Sequence, residues 1–161
     1  MARLADHLVL LEAGSVTASG SIGDMLTRLD LPLARGNDAE ALLEAKVVGH
    51  DDEFNLTYLD LAGNRFSVTR HDLAVGKLAR LRVLARDVSI TLQHQSDTSI
   101  LNIFPAVVDE IKHEGTAQVT IRLLVGGVPM LSRITRKSAS ILDLKPGKQV
   151  YAQAKSVALL A

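Results

Sequence analysis

Three short stretches of this chain carry side chains that could hold a small anion. Lys155-Ser156 interrupts an apolar run that starts at Val150 and ends at Leu160. A lysine supplies three N–H donors with a full charge, and a serine hydroxyl adds one more. In a continuous strand the two would point to opposite faces, and a bulge would aim both, with a free backbone N–H, at one ligand. Ser99-Ile100-Leu101-Asn102 follows the polar link Gln93-His94-Gln95-Ser96-Asp97. Arg133-Ile134-Thr135-Arg136-Lys137-Ser138 is the most basic local cluster. Together these stretches offer hydroxyls, an amide and cations, and no carboxylate. A tetrahedral dianion asks for that combination of many donors and no acceptor charge. Each stretch also has a plainer reading. Lys155 reads as an exposed strand end, Ser99 and Asn102 as backbone caps, and Ser138 as the N-cap of a helix.

The elements that must position these groups are mostly strands. From Ala39 onward the order of short strands and Gly turns occurs twice, at a spacing of roughly sixty residues, which predicts two small β-barrels of one type. Leu56-Thr57-Tyr58-Leu59-Asp60-Leu61-Ala62-Gly63 answers to Val119-Thr120-Ile121-Arg122-Leu123-Leu124-Val125-Gly126, and Leu73-Ala74-Val75-Gly76-Lys77 to Leu144-Lys145-Pro146-Gly147-Lys148. Within the repeat only Ser138 to Leu144 reads as helical, with Ile141, Leu142 and Leu144 seating it on a barrel end. The expected divisions are 1–36, an αβ segment with linker; 37–94, the first barrel; and 95–161, the second.

Composition narrows the function classes. The 161 residues include 18 basic and 18 acidic side chains, for a formal net charge of zero, and only 3% are aromatic. A nucleic-acid binder needs a basic excess and stacking aromatics, so no nucleic-acid partner is expected. The absence of cysteine removes disulfides, thiolate metal sites and Cys nucleophiles. Histidines 7, 50, 71, 94 and 113 show no ligand spacing, so no metal site is expected. No apolar run reaches the roughly 20 residues that span a bilayer, and the N-terminus lacks a signal-peptide layout. These features predict a cytoplasmic location.

Residues 1–36 differ from the rest. His7-Leu8-Val9-Leu10-Leu11 reads as a strand, Glu12-Ala13-Gly14-Ser15 as a turn, and Val16-Thr17-Ala18 as its return. Ser21 is placed to cap a helix, with Asp24 three residues on and Met25, Leu26 and Leu29 on one apolar face. Pro32 is expected to end that helix. Such a segment cannot bury a core alone, so it either docks on the barrels or is the tail of a larger domain. Its order resembles the end of the nucleotide-binding domain of ABC-transporter ATPases, with Ala5–Val16 as the strand-turn-strand and Ser19–Met25 as the closing helix start. No Gly-x-x-x-x-Gly-Lys-Ser/Thr phosphate loop occurs, so no catalytic residue is expected and the chain is expected not to be an enzyme.

The second half resembles the molybdate-binding, or Mop, domain. The resemblance rests on Ser99-Ile100-Leu101-Asn102, on Ile134-Thr135-Arg136-Lys137-Ser138-Ala139 through Leu142, Leu144 and Gly147, and on Tyr151 to Leu159. It implies a mainly β fold of two OB-like β-barrels, a tandem Mop-type repeat preceded by the short αβ tail of an ABC ATPase domain. It further implies the C-terminal part of the ATP-binding subunit of a molybdate importer, peripheral to the cell membrane through a permease subunit. Its ligand would be molybdate or tungstate, with ATP and Mg confined to the full-length parent. The barrels of this family commonly pair between subunits, so a homodimer is implied. Oxyanion-binding roles carry onto Ser99, Asn102, Thr135, Ser138, Lys155 and Ser156. Two positions depart from the pattern. Many members carry Arg where Leu101 stands, and Arg86-Asp87 occupies the first-half place of Lys155-Ser156, where Asp87 would repel a dianion. The first barrel is therefore expected to be scaffold. The function the resemblance implies is a regulatory oxyanion sensor that takes part in feedback inhibition of molybdate import; a dimerisation module without ligand and an oligonucleotide-binding barrel are the competing functions.

Overall fold

The computed structural model describes residues 5–160. β1 (His7–Glu12) and β2 (Ser15–Ser21) form the expected hairpin, and α1 (Ile22–Thr27) follows, with Ser21 Oγ accepting the Asp24 N–H at 3.3 Å. The helix ends at Thr27, earlier than Pro32 suggested, and Pro32 instead opens a single 3-10 turn over Pro32–Ala34. The barrels are built from β3 (Glu40–Asp51), β4 (Leu56–Leu61), β5 (Asn64–Thr69), β6 (Leu78–Leu84), β7 (Val88–Thr91), β8 (Asn102–Glu114), β9 (Gln118–Val125), β10 (Val128–Thr135), α2 (Arg136–Ile141), β11 (Gln149–Ala154) and β12 (Ala158–Leu160).

The protein is mainly β, and its two five-stranded sheets curl as OB-like barrels do. One sheet runs β12-β6-β3-β4-β5 and the other β10-β9-β8-β11-β7. Each sheet therefore takes one strand from the other half of the chain: β7 pairs with β11, and β12 with β6. The exchange is symmetric, since Ser89 pairs with Gln153 as Ala158 pairs with Arg82. A division of the sequence between residues 94 and 95 thus crosses two strand pairings.

The repeat is legible in single hydrogen bonds. Val47 donates to Lys77 O at 2.9 Å and accepts from Gly76 N at 2.7 Å; Val108 donates to Lys148 O at 2.9 Å and accepts from Gly147 N at 2.7 Å. The β3–β4 and β8–β9 ladders each carry a bulge immediately after that residue. The hairpin turns also match, with positive φ at Ala62 and Gly63 and at Gly126 and Gly127. They align Leu61 with Val125, one residue from the alignment expected from sequence. The slip arises because both turns hold two left-handed residues and only one of the four is not glycine.

Alternation puts Ala41, Leu43, Ala45 and Val47 of β3 inside, while Leu42 on the other face is buried under Ile22 and Leu26 of α1. The N-terminal segment is thus docked on the first sheet, as its small size requires. The two barrels share one apolar core that includes Leu59, Leu81, Val108, Ile121 and Leu123. Phe66 of β5 and Phe104 of β8 meet at its centre, ring centroids 4.2 Å apart. Burying residues of this size contributes about 1.5–3 kcal/mol each.

Candidate oxyanion site

Lys155 and Ser156 lie where the chain leaves one sheet for the other, between the end of β11 at Ala154 and the start of β12 at Ala158. A break between sheets, rather than a bulge within a strand, frees both side chains to reach one side. The backbone N–H of Lys155 is held by Asp87 O at 3.0 Å. Both side chains are exposed, and no ion pair engages Lys155 among the described residues.

They open onto a cleft of about 410 Å³. Its polar wall is made by Ser67, Thr69, Ser99, Asn102, Lys155 and Ser156, and its apolar wall by Leu56, Val68, Ile100, Leu101 and Val157. No carboxylate among the described residues lines it. Four of the six residues singled out from sequence, Ser99, Asn102, Lys155 and Ser156, therefore meet in one place. Asn102 is 6% exposed and already engaged: its Oδ1 accepts Ser67 N–H at 2.7 Å and its Nδ2 donates to Ser67 O at 3.0 Å. One amide proton remains for a ligand. Leu101, 64% exposed, stands at the rim.

Thr135 and Ser138 lie elsewhere. They sit at the end of β10 and the start of α2, where Thr135, Arg136, Lys137, Ser140 and Ile141 border a second depression with Thr116, Ala117 and Gln118. Thr135, not Ser138, is the N-cap: its Oγ1 accepts Ser138 N–H at 3.1 Å and lies 2.9 Å from Ser138 Oγ. β10 runs to Thr135 itself, so the first residue free to turn into the helix comes three positions earlier than the basic cluster suggested. Leu144 is buried on the barrel as expected, whereas Ile141 is 71% exposed and faces solvent.

Ser67 and Thr69 of β5 were not among the residues foreseen. They belong to the first half, and it is the packing of β5 against the start of β8, a strand of the other sheet, that brings them to the cleft. No local pattern marks them. Across the remaining surface, no group of three His, Asp or Glu side chains among the described residues could hold a metal ion. No helix among the described residues is long and apolar enough to cross a membrane.

Residues 98–161 match the TOBE domain. The whole chain is similar to molybdenum import ATP-binding proteins. It is 55% identical to that of Albidiferax ferrireducens, covering 99% of this chain and 43% of the relative, and 49% identical to that of Pseudomonas fluorescens Pf-5, covering 100% and 46%. The chain thus spans less than half the length of these relatives and corresponds to their C-terminal part. Among solved structures, the cytoplasmic molybdate-binding protein ModG, crystallised with molybdate bound, superposes with a TM-score of 0.64 at 23% identity, over 74% of this chain and 94% of that one. That likeness is one of fold.

Proposed function

We propose that this chain, whose residues 98–161 form a TOBE domain and whose full length is related to the C-terminal part of molybdenum import ATP-binding proteins, is the cytoplasmic oxyanion-binding regulatory portion of such a subunit. The observation that carries the reading is the cleft in which Lys155 meets no carboxylate among the described residues and shares the lining with Ser99 and Ser156. A molybdate or tungstate dianion supplies the missing charge and accepts from several donors at once. Thr135 and Ser138 complete the site from a second copy of the chain, in a homodimer that pairs the barrels. Occupancy then favours one arrangement of the full-length ATPase over another, which requires the two arrangements to differ in ligand affinity. In the parent, ATP hydrolysis and contact with a membrane permease belong to the part of the subunit that lies before these residues. The chain by itself turns over no ATP, since it has no phosphate loop.

A second reading is a dimerisation module that binds no ligand. Leu101 favours it, because an exposed leucine stands at the cleft mouth where a donor would serve an anion. Calorimetric titration with molybdate, tungstate, sulfate and a short oligonucleotide separates the readings. Heat with molybdate or tungstate, weaker heat with sulfate and none with the oligonucleotide is the expected pattern. Silence with all oxyanions would leave the dimerisation module standing.

A further inference from the structure

The internal repeat gives the oxyanion cleft a twin, and the twin is not open. Strand pairings align Asn102 with Ala41, Ser67 with Leu131 and Thr69 with Arg133, and, counted back from the matching Ala158 and Ser89, Lys155-Ser156 falls on Arg86-Asp87 in a connection two residues longer. The same alignment sets Asp38 and Glu40 in the places of Ser99 and Leu101. Asn102 and Ser67 thus give way to an alanine and a leucine, Ser99 and Ser156 to Asp38 and Asp87, and Thr69 and Lys155 to Arg133 and Arg86, while Glu40 replaces Leu101; the three added carboxylates repel a dianion.

The segments leading into the two clefts behave in opposite ways. Before Ser99, residues 92–98 are exposed throughout. Before Asp38, Leu29, Leu31 and Ala34 are buried, and Leu29 and Ala34 pack with Ala39, Ala85 and Leu131 in one apolar cluster. Leu131, at the position of Ser67, is fully buried. Polar contacts fasten the same segment. The Glu114 carboxylate accepts Gly36 N–H at 3.3 Å, Thr120 Oγ1 at 2.9 Å and Arg133 Nε at 3.1 Å, and Arg133 also donates to Asn37 Oδ1. Arg133 and Glu114 side chains are 19% and 14% exposed, a burial at which removing one partner leaves the other charge uncompensated and costs more than breaking a surface pair does.

We infer that residues 29–37 plug the twin of the oxyanion cleft, so that the duplicated fold offers one open cleft per chain and uses the other to anchor its N-terminal segment. The count of one rests on the oxyanion reading above; the plug rests on the packing alone.

Amide hydrogen exchange on this chain tests the plug. Residues 31–39 should exchange at least about tenfold more slowly than the exposed link 93–99, because the N–H groups of Leu31, Ala34, Arg35 and Ala39 donate to backbone carbonyls and that of Gly36 to the Glu114 carboxylate. Arg133→Met, chosen to keep the apolar stem, should speed exchange at 35–39 by roughly tenfold and leave the β8–β9 ladder unchanged. Exchange at 31–39 as fast as at 93–99, or an Arg133→Met profile indistinguishable from the parent, overturns the plug. Titration with sodium molybdate tests the count. One ion per chain is expected; two per chain overturns the count while leaving the oxyanion reading intact. No binding overturns both the oxyanion reading and the count, and the exchange result still decides the plug.

Discussion

The carboxamide of Asn102 pairs with both backbone groups of Ser67, accepting at 2.7 Å and donating at 3.0 Å across 35 positions of sequence. The pair extends the pattern of a β-ladder between β5 and β8, which belong to different sheets. Asn102→Ala would leave the Ser67 N–H and C=O without partners in a half-buried place. A loss of about 2 kcal/mol is expected, from two hydrogen bonds and a desolvation penalty. Urea unfolding checks it, and a change below about 0.5 kcal/mol, the range of an ordinary surface substitution, would count against a clip role.

Affinity should depend on Lys155 and not on Arg86. A charge-assisted hydrogen bond contributes about 1.5–3 kcal/mol, so Lys155→Ala should weaken molybdate binding roughly tenfold or more. Arg86, 3.9 Å from Asp38 and exposed, should cost less than about threefold when replaced by Ala. Ser156→Ala should fall between them. A larger loss for Arg86→Ala in calorimetry would move the main site to the first barrel.

Two copies should share each site. A homodimer is expected by light scattering at tens of micromolar, on the order of the dissociation constant of a weak interface. Thr135→Val should weaken binding although Thr135 lies outside the cleft of its own chain. Mixing Thr135→Val with Lys155→Ala protein should restore about a quarter of the sites, because half of a statistical mixture is heterodimer with one intact site of two. Failure of the mixture to bind better than either variant would place both residues in one chain's site, or show that Thr135 takes no part.

Gly126 cannot accept a side chain. A Cβ placed there would lie 2.7 Å from Ala62 Cβ, where the two matching hairpin turns abut, and the backbone is left-handed at that position. Gly126→Ala should destabilise by about 1–3 kcal/mol, the usual cost of overpacking. Gly63→Ala, with open space at the same turn in the first half, should cost only the backbone strain. Thermal unfolding of the two variants orders them, and equal melting temperatures would contradict the contact.

Asp51 is held below the usual carboxylate range, chiefly by the Phe54 backbone N–H and then by the Tyr58 hydroxyl, while the same Asp51 contact raises Tyr58. A depressed folded value means that this group adds stability above its unfolded pKa, and that the contribution fades as pH falls through the folded value. An NMR titration of Asp51 should show a midpoint below that of a free aspartate, and Tyr58→Phe should move it upward. An unmoved midpoint would assign the shift to the backbone contacts alone.

Much of this was readable in the residues. The hairpin, the Ser21 cap and the doubled β architecture follow from alternation, turn chemistry and self-similarity, all of which act over short spans. Lys155, Ser156, Ser99 and Asn102 could be picked out because polar groups interrupt apolar runs there. What was not readable depends on contacts between distant parts. Ser67 and Thr69 look like ordinary strand residues until β5 meets β8. The N-cap moved from Ser138 to Thr135 because β10 pairs with β9 up to Gln118, and register, not propensity, fixed where the strand could stop. Ile141 fits an apolar helical face by spacing, yet the helix is only six residues long and turns that position outward.

The exchange of β7 and β12 also governs the order in which the molecule can be made. A chain emerging from synthesis at roughly 5–20 residues per second usually lets each domain close before the next appears. Here the first sheet waits for residues 158–160 to cover the edge of β6, although β6 itself is finished at Leu84. Throughout that interval β6 presents unpaired backbone groups, which invite pairing with another chain. The partner most able to accept the invitation is the β12 of a neighbouring copy, so crowded synthesis of this protein should favour entangled dimers joined through β12 over monomers that closed alone.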